Sequence, residues 1–271
     1  MHVAEAGRGE PVLLLHGFPQ HWWEWRHIIP GLEAQHRLIM PDLRGAGWTE
    51  APRDGYGRER LLQDVVGLLD ALEVDVVHLL THDWGAILGF QLCLQHPRRV
   101  RSHVSLSTPH PFIHFQAGLL AVMWRLWFQE AIAMPGLGPS LLSRGSQPLA
   151  RYLMMRHVAK PQSWSSSDLG AFLDPLRDPA RARAGSATYR RLILPEALRM
   201  LRGAYREQRL ATPTVVLYGA EDSTVRPAFF DGWEGHAARL SVEPVPGAAH
   251  FLADENPAFV TRRALEHFSH A

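Results

Sequence analysis

The 271-residue chain predicts an α/β protein. Its mostly parallel sheet would be covered by helices on both faces and interrupted once by a helical insertion. Three observations carry this. Short continuous apolar runs such as Val12–Leu15, Val76–Leu80 and Thr214–Tyr218 have the length and composition of fully buried strands. Stretches with apolar residues at helical spacing alternate with them over short connections. Between roughly 111 and 207 that rhythm stops, and the chain reads as helical but irregular, then the rhythm returns at Pro213.

The elements follow in order. Val12–Leu15 is a buried strand, and Trp22–Ala34 a helix after a Pro-Gln-His loop. Leu38–Met40 is a strand ended by Pro41, which cannot donate to a ladder. Arg58–Leu72 places Leu61, Leu62, Val65, Leu68, Leu69 and Leu72 on one face, a helix with a solvated polar side. Strand Val76–Leu80, helix Gly85–Gln95 and strand Val100–Leu106 complete the first half, which Pro109-His110-Pro111 stops. Thr214–Tyr218 and Leu240–Val245 are strands, and Asn256–Ser269 a final helix. The simplest organisation is one core, 1–110 with 208–271, carrying a helical cap at 111–207.

Composition excludes several classes. The net charge is +1, and no arginine cluster interleaves with aromatics as a nucleic-acid groove requires. Twenty-seven of the 28 basic residues are arginine, with Lys160 the one lysine, a bias expected of GC-rich codons. Cys93 is the only cysteine and sits in an apolar stretch, so a buried, inert thiol is expected. No apolar run reaches the roughly 18 residues a membrane span needs. The start lacks a basic segment followed by an apolar signal region. The expectation is a soluble cytoplasmic protein, monomer or homodimer, with no nucleic-acid partner and no membrane span. No His, Cys or carboxylate set has metal-ligand spacing, and no cofactor is expected.

The chemistry centres on Thr81-His82-Asp83-Trp84-Gly85, which closes one apolar strand and opens a helix. Strand, sharp turn and helix is the setting of the nucleophile elbow of α/β-hydrolases, with aspartate where serine is usual. A carboxylate there attacks saturated carbon and makes an alkyl ester of the enzyme, so an epoxide or alkyl halide is the expected electrophile. Chain order supplies the partners: nucleophile, acid, histidine. Asp222 follows strand Thr214–Tyr218 and His250 follows strand Leu240–Val245, both past strand C-termini where open sheets bind ligands. His250, with an ordinary pKa of about 6.5, is the general base for hydrolysing the ester. Asp222 would hold its other ring nitrogen; Glu221, Asp231 and Asp254 remain alternatives. The ester's tetrahedral oxyanion needs backbone donors, assigned to the N–H groups of Trp84 and of Phe18 in His16-Gly17-Phe18-Pro19. His16 is read as a brace for that turn, and His82 as a packing residue behind the nucleophile.

The motifs His16-Gly17-Phe18-Pro19-Gln20, Trp22-Trp23-x-Trp25-Arg26, Pro41-Asp42-Leu43-Arg44-Gly45-x-Gly47 and His82-Asp83-Trp84-Gly85 resemble the epoxide hydrolases of the α/β-hydrolase superfamily. Gly247-x-x-His250-Phe251 and Glu255-x-Pro257 fit the wider superfamily. The resemblance implies the α/β-hydrolase fold, with the cap inserted after the sixth strand in the family's count. It implies a small apolar epoxide-bearing substrate and a cis Phe18–Pro19 peptide. Ala187-Thr188-Tyr189-Arg190 looks like the second of two cap tyrosine motifs, making Tyr189 the acid for the leaving oxygen. The first motif falls in Met123–Glu130, which has no tyrosine; Trp124 occupies the place. Tyr152 or a cap histidine such as His157 is the expected replacement. Trp124, Tyr152, Phe18 and Phe251 are expected to touch substrate.

Haloalkane dehalogenases share the aspartate elbow and give the alternative reading. Trp84, and with it Trp124, would be the halide donors; Phe18 stands where such enzymes often place an asparagine. Fluoroacetate dehalogenases usually carry arginines after the nucleophile, where this chain has Trp84 and Ile87, against an anionic substrate. Two departures stand out. Thr81 puts a β-branched side chain two residues before the nucleophile. The chain opens on Met1–Gly7, which resembles the family's second strand, so the first, edge strand is expected to be missing.

Overall fold

The computed structural model describes residues 1–113, 124–225 and 227–270. Seven strands form one sheet: β1 Val3–Ala6, β2 Glu10–Leu15, β3 His36–Pro41, β4 Val77–His82, β5 Val100–Leu106, β6 Thr214–Gly219 and β7 Leu240–Val245. Their spatial order is β1-β3-β2-β4-β5-β6-β7. Only β1 runs antiparallel, pairing Val3 with Pro41 and Ala6 with Leu38. The fold is an α/β-hydrolase fold with a mostly parallel sheet flanked by helices. The predicted strands are all present, and each lengthens by one to three residues except β7 and β5, whose bounds match.

The strand order reverses at β2, which lies between β3 and β4 although β3 follows it in sequence. Such a switch point opens a crevice at the strand C-termini. Leu15 of β2 faces Thr81 of β4 in register, so the residues after both strands emerge side by side. Those residues are Phe18 and Asp83.

Both faces of the sheet are covered. Leu13, Leu15 and Leu79 pack with Leu61, Leu62, Val65 and Leu69 of helix Arg58–Ala71 and with Leu88 and Leu92 of helix Trp84–Gln95. Val12, Leu14, Leu80, Val104 and Leu217 pack on the opposite side with Trp25, Ile28 and Val260, Ala264 and Phe268 of helix Pro257–Ser269. Burying each such leucine or phenylalanine contributes roughly 1.5–3 kcal/mol. That is why the strands read as continuous apolar runs rather than alternating ones.

One predicted element divides. The expected helix Trp22–Ala34 is a 3-10 turn, Trp22–His27, followed by a four-residue helix, Ile29–Leu32. Pro30 has no N–H to continue an α-helical ladder back to Arg26. The tighter turn brings Glu24 and Trp25 inward, both fully buried.

Between β5 and β6 the described chain is helical: Trp127–Ala133, Leu137–Ser143, Pro148–Arg156, Ser166–Leu173, Pro179–Thr188 and Leu194–Leu201. This helical run lies within the expected insertion, of which 114–123 fall outside the described residues. Helix Ser166–Leu173 starts at a capping box, Ser165 with Asp168. Asp168 also meets Arg26 at 3.0 Å, and Ala171 O lies 3.0 Å from His21 Nε2, so the helix is tied to the turn beneath it. The last two helices join through a π turn, Tyr189–Ile193. Such turns recur at functional sites because they re-aim a side chain.

Candidate active site

Asp83 follows β4 with φ 47° and ψ −114°, and Trp84 opens the next helix. Positive φ is costly for a residue with a Cβ, and it turns the aspartate side chain out of the strand's path. The sharp turn also needs close crossing of helix and strand. A Cβ on Gly85 would stand 2.1 Å from Leu15 O, so only glycine fits. Thr81 is fully buried beneath, its hydroxyl 2.7 Å from His103 Nε2, which satisfies the polar atom that a β-branched residue brings here.

The turn after β2 wraps over the aspartate. Phe18–Pro19 is a cis peptide, and the Phe18 N–H donates to Asp83 Oδ2 at 3.0 Å. His16 braces this turn: Leu43 N–H donates to its Nε2 at 2.9 Å, so Nδ1 carries the hydrogen, which is given to Gly17 O at 2.9 Å. Trp84, the first helical residue, has an N–H with no intrahelical acceptor. The two backbone donors expected of an oxyanion hole thus lie just past the ends of neighbouring strands.

His250 stands past β7 with Nδ1 3.5 Å from Asp222 Oδ2, at the outer edge of hydrogen-bond range. Such contacts often tighten only when substrate is bound. The other Asp222 oxygen accepts from Thr224 N–H and Oγ1 at 2.6 Å each and from Val225 N–H at 3.0 Å. Burial pushes the Asp222 carboxyl up, but His250 and the Thr224 donors outweigh it and hold the pKa at about 2. Burial pulls the His250 ring down, yet Asp222, Asp83 and Glu255 together bring it above its ordinary value. Asp254, an alternative acid on sequence grounds, is occupied elsewhere: Arg26 lies 2.6 Å away and Gln20 donates at 2.8 Å.

The His250 backbone is clamped as tightly as its ring. Its N–H donates to His157 O at 3.0 Å, and its carbonyl accepts from Ser107 Oγ at 2.7 Å and from His82 Nε2 at 3.0 Å. Glu255 accepts from the N–H groups of Ala249 and Phe251, each at 3.1 Å, and from Ala159 at 2.6 Å. One carboxylate therefore fixes the residues on both sides of His250 and a segment of the helical insertion.

Asp83 and His250 face a cavity of about 390 Å³, within the range of small-molecule sites. Its walls are largely apolar, including Ile87, Ile113, Leu126, Leu153 and Met200. Phe18, Tyr189, His157, Thr224 and Phe251 also line it. Tyr189 is buried, edge-on to Phe18 at 5.5 Å and to Trp84 at 5.2 Å, while Phe18 stacks on Trp84 at 4.9 Å. Burial and the Asp83 charge push the Tyr189 hydroxyl well up, so it is held protonated. The Trp84 indole N–H is buried without a well-formed hydrogen bond; the nearby Tyr189 hydroxyl feels it only as a weak stabiliser of its anion.

Two candidates lie elsewhere. Trp124 is 68% exposed, in a 3-10 turn beneath the Arg125 guanidinium, and does not line the cavity. Tyr152 packs on Trp127 at 5.5 Å and on His157 at 6.1 Å, behind the cavity wall rather than on it. His157 lines the wall in its stead. Its ring is buried, Nε2 has no partner, and burial with the nearby His250 lowers its pKa to about 4, leaving it neutral. Ser107, Thr224, Glu255 and Glu24 were not singled out from sequence. Glu255 alone left a signal, in its place in a motif.

A family model described as alpha/beta hydrolase fold matches residues 10–257. The chain belongs to the α/β-hydrolase family. "Epoxide hydrolase 2" of Siraitia grosvenorii is 45% identical over 172 residues, 59% of this chain and 54% of that protein. The chain thus matches about half the length of that relative. "Soluble epoxide hydrolase" of Corynebacterium sp. (strain C12) is 28% identical over 276 residues, 99% of this chain and 93% of the relative. The solved structure of the epoxide hydrolase CorEH without ligand superposes with a TM-score of 0.85 at 28% identity, over 99% of this chain and 94% of that one. Within the family, the likeness of this α/β-hydrolase is to epoxide hydrolases.

Proposed function

We propose that this chain is an enzyme that hydrolyses a small apolar epoxide to a vicinal diol through a covalent ester on Asp83. The observation that carries the reading is Asp83 itself, held by the Phe18 N–H on Oδ2 and facing an apolar cavity that His250 and Tyr189 also line. With Oδ2 held, Oδ1 is the free oxygen. It attacks an epoxide carbon, the ring C–O bond breaks, and the oxygen leaves as an alkoxide. Tyr189 gives that oxygen its proton, with the neutral His157 ring as a second hydrogen-bonding group on the same wall. The helices between β5 and β6, which carry both, act as a cap over the nucleophile.

In the second half, His250 takes a proton from water, and the hydroxide attacks Cγ of the Asp83 ester. Asp222 stabilises the imidazolium that forms. The tetrahedral oxyanion forms at Oδ2, to which the Phe18 N–H already donates and for which the Trp84 N–H is the second donor in this reading, each such donor being worth roughly 10² to 10³ in rate. Collapse breaks the Cγ–Oδ1 bond, the departing diol oxygen takes the proton held by His250, and the proton of the carboxylic acid so formed is returned to Tyr189, leaving Asp83 as a carboxylate.

A second reading is hydrolytic dehalogenation. Its candidate halide donor is the Trp84 indole N–H, buried without a well-formed hydrogen bond, but Trp84 does not line the cavity that Asp83 and His250 face. The exposure of Trp124 weighs against it, because the second donor that reading needs is not at the cavity. Mass spectrometry of His250→Gln separates the two. Styrene oxide adding its full mass to the Asp83 peptide supports epoxide opening. An alkyl halide leaving an adduct with halide release supports the alternative, and no adduct from either panel removes both.

A further inference from the structure

Behind the nucleophile lies a buried acid–base pair that the chemistry above does not use. Glu24 is fully buried, and Gly17 N–H donates to its Oε2 at 3.2 Å. The same oxygen lies 3.4 Å from Nδ1 of His82, the residue before Asp83. Glu24 Oε1 is buried without a partner. On the far side of the ring, His82 Nε2 lies 3.0 Å from the His250 carbonyl.

A carbonyl oxygen only accepts, so His82 Nε2 must carry a hydrogen. A neutral ring then presents a lone pair at Nδ1, facing a carboxylate that also has only lone pairs. One further proton must therefore sit between Nδ1 and Oε2. It makes either a carboxylic acid beside a neutral ring or a carboxylate beside an imidazolium. The surroundings choose. Both residues are cut off from water, which penalises two charges far more than none. Asp83 and His250 lie beside the pair, with Asp222, Asp254 and Arg26 further out and the buried His16 on the oxyanion turn. Burial and Asp83 push the Glu24 carboxyl well up, and burial with His250 brings the His82 ring down to about 3. Both directions leave the proton on Glu24.

We propose that Glu24 is a protonated positioning residue whose O–H donates to His82 Nδ1, forming an uncharged tie from the oxyanion turn through the nucleophile strand to the His250 loop. The assignment of its effect on turnover rests on reading Asp83 as nucleophile and His250 as base; the proton count does not. The tie has two consequences. It fixes the carbonyl of His250 against the strand that carries Asp83. It also keeps a second buried negative charge away from Asp83, whose attack on carbon needs its own charge undivided.

Nitrogen NMR of histidine-labelled protein tests the proton directly, with the His82 signals identified by their loss in His82→Gln. The expected result between pH 6 and 8 is a protonated Nε2 and an unprotonated Nδ1. An imidazolium at His82 in that range would overturn the proposal, whatever the substrate proves to be. Turnover tests the tie. Glu24→Gln keeps a donor for Nδ1 but loses the acceptor for Gly17 N–H, so a few-fold fall in kcat is expected with the pH midpoint of ester hydrolysis unmoved. Glu24→Met removes donor and acceptor, and its kcat should lie at least about tenfold below that of Glu24→Gln, with the midpoint displaced. Equal damage in the two variants would show that the hydrogen bond to His82 does not position His250.

Discussion

Gly17→Ala is the substitution whose effect follows most directly from the geometry. Gly17 has no positive φ, so an alanine adds no backbone strain and acts only through the volume of one methyl group. That methyl carbon would stand 2.5 Å from Asp83 Cβ, 3.0 Å from Asp83 Oδ2 and 3.1 Å from His82 Nδ1. Carbon atoms in contact rest about 3.5–4.0 Å apart, so turn and nucleophile must separate by about 1 Å. Neither side yields easily, because Asp83 hangs on a strained backbone and the turn is braced by His16. A misplacement of about 1 Å in a reacting group costs roughly 10²-fold in rate, or about 2.7 kcal/mol of barrier. The same methyl overpacks the site and should lower stability by about 1–3 kcal/mol, leaving a folded protein. Rapid-quench measurement of ester formation with styrene oxide, beside a thermal melt, reads both effects. Gly17→Ala with kcat/KM within threefold of wild type and an unchanged melt would refute the argument: the turn would then move freely, and the Phe18 to Asp83 hydrogen bond would not matter.

Asp222→Asn should block the second half-reaction and spare the first. Three donors hold Oδ1, so the amide oxygen takes that side and its NH₂ faces His250 Nδ1, forcing the wrong tautomer. The rate of ester hydrolysis should fall by about 10³–10⁴-fold, with the Asp83 ester accumulating in mass spectra after substrate is added. Tyr189→Phe should slow ester formation by about 10²-fold at unchanged fold, read in the same quench assay. Trp124→Ala, at a 68% exposed position, should leave kcat and KM within about twofold and stability within about 0.5 kcal/mol. The pH dependence has a sign fixed by the charges around His250. The base must be neutral to act, and its pKa is raised, so activity is lost as pH falls through a value above the ordinary histidine one. In the ester, Asp83 carries no charge and one of the raising influences is gone. Single-turnover ester hydrolysis should therefore titrate at lower pH than His250 does by NMR in the free enzyme, and equal or reversed midpoints would contradict this.

What the sequence made legible and what it hid divide along one physical line. Asp83 was readable because its function depends on local backbone: a buried strand must end, a helix must begin, and the side chain between them has one way to point. Asp222 and His250 were readable because each follows a strand in a sheet whose parallel order sends all strand ends to one edge. The helix expected at Trp22–Ala34 breaks locally too, at Pro30, whose missing N–H outweighs the apolar spacing. Glu24 is the contrary case. A glutamate among three tryptophans and an arginine reads as the polar side of an exposed turn; only the contact with Gly17 and His82, the latter 58 residues away, makes it a buried acid. Trp124 lies off the cavity and His157 lines it for the same reason, since which of several residues between β5 and β6 faces Asp83 depends on how helices pack across the sheet, and no spacing within one segment encodes that. The leaving group follows from this division. In the proposed mechanism attack on saturated carbon rests on the core, through residues that the elbow motif marks. The same proposal assigns the choice between oxygen and halide to Tyr189 and His157, whose placement depends on a π turn and on a backbone bond from His250 to His157. Selectivity among electrophiles in this fold should therefore shift through cap packing while Asp83, Asp222 and His250 stay fixed.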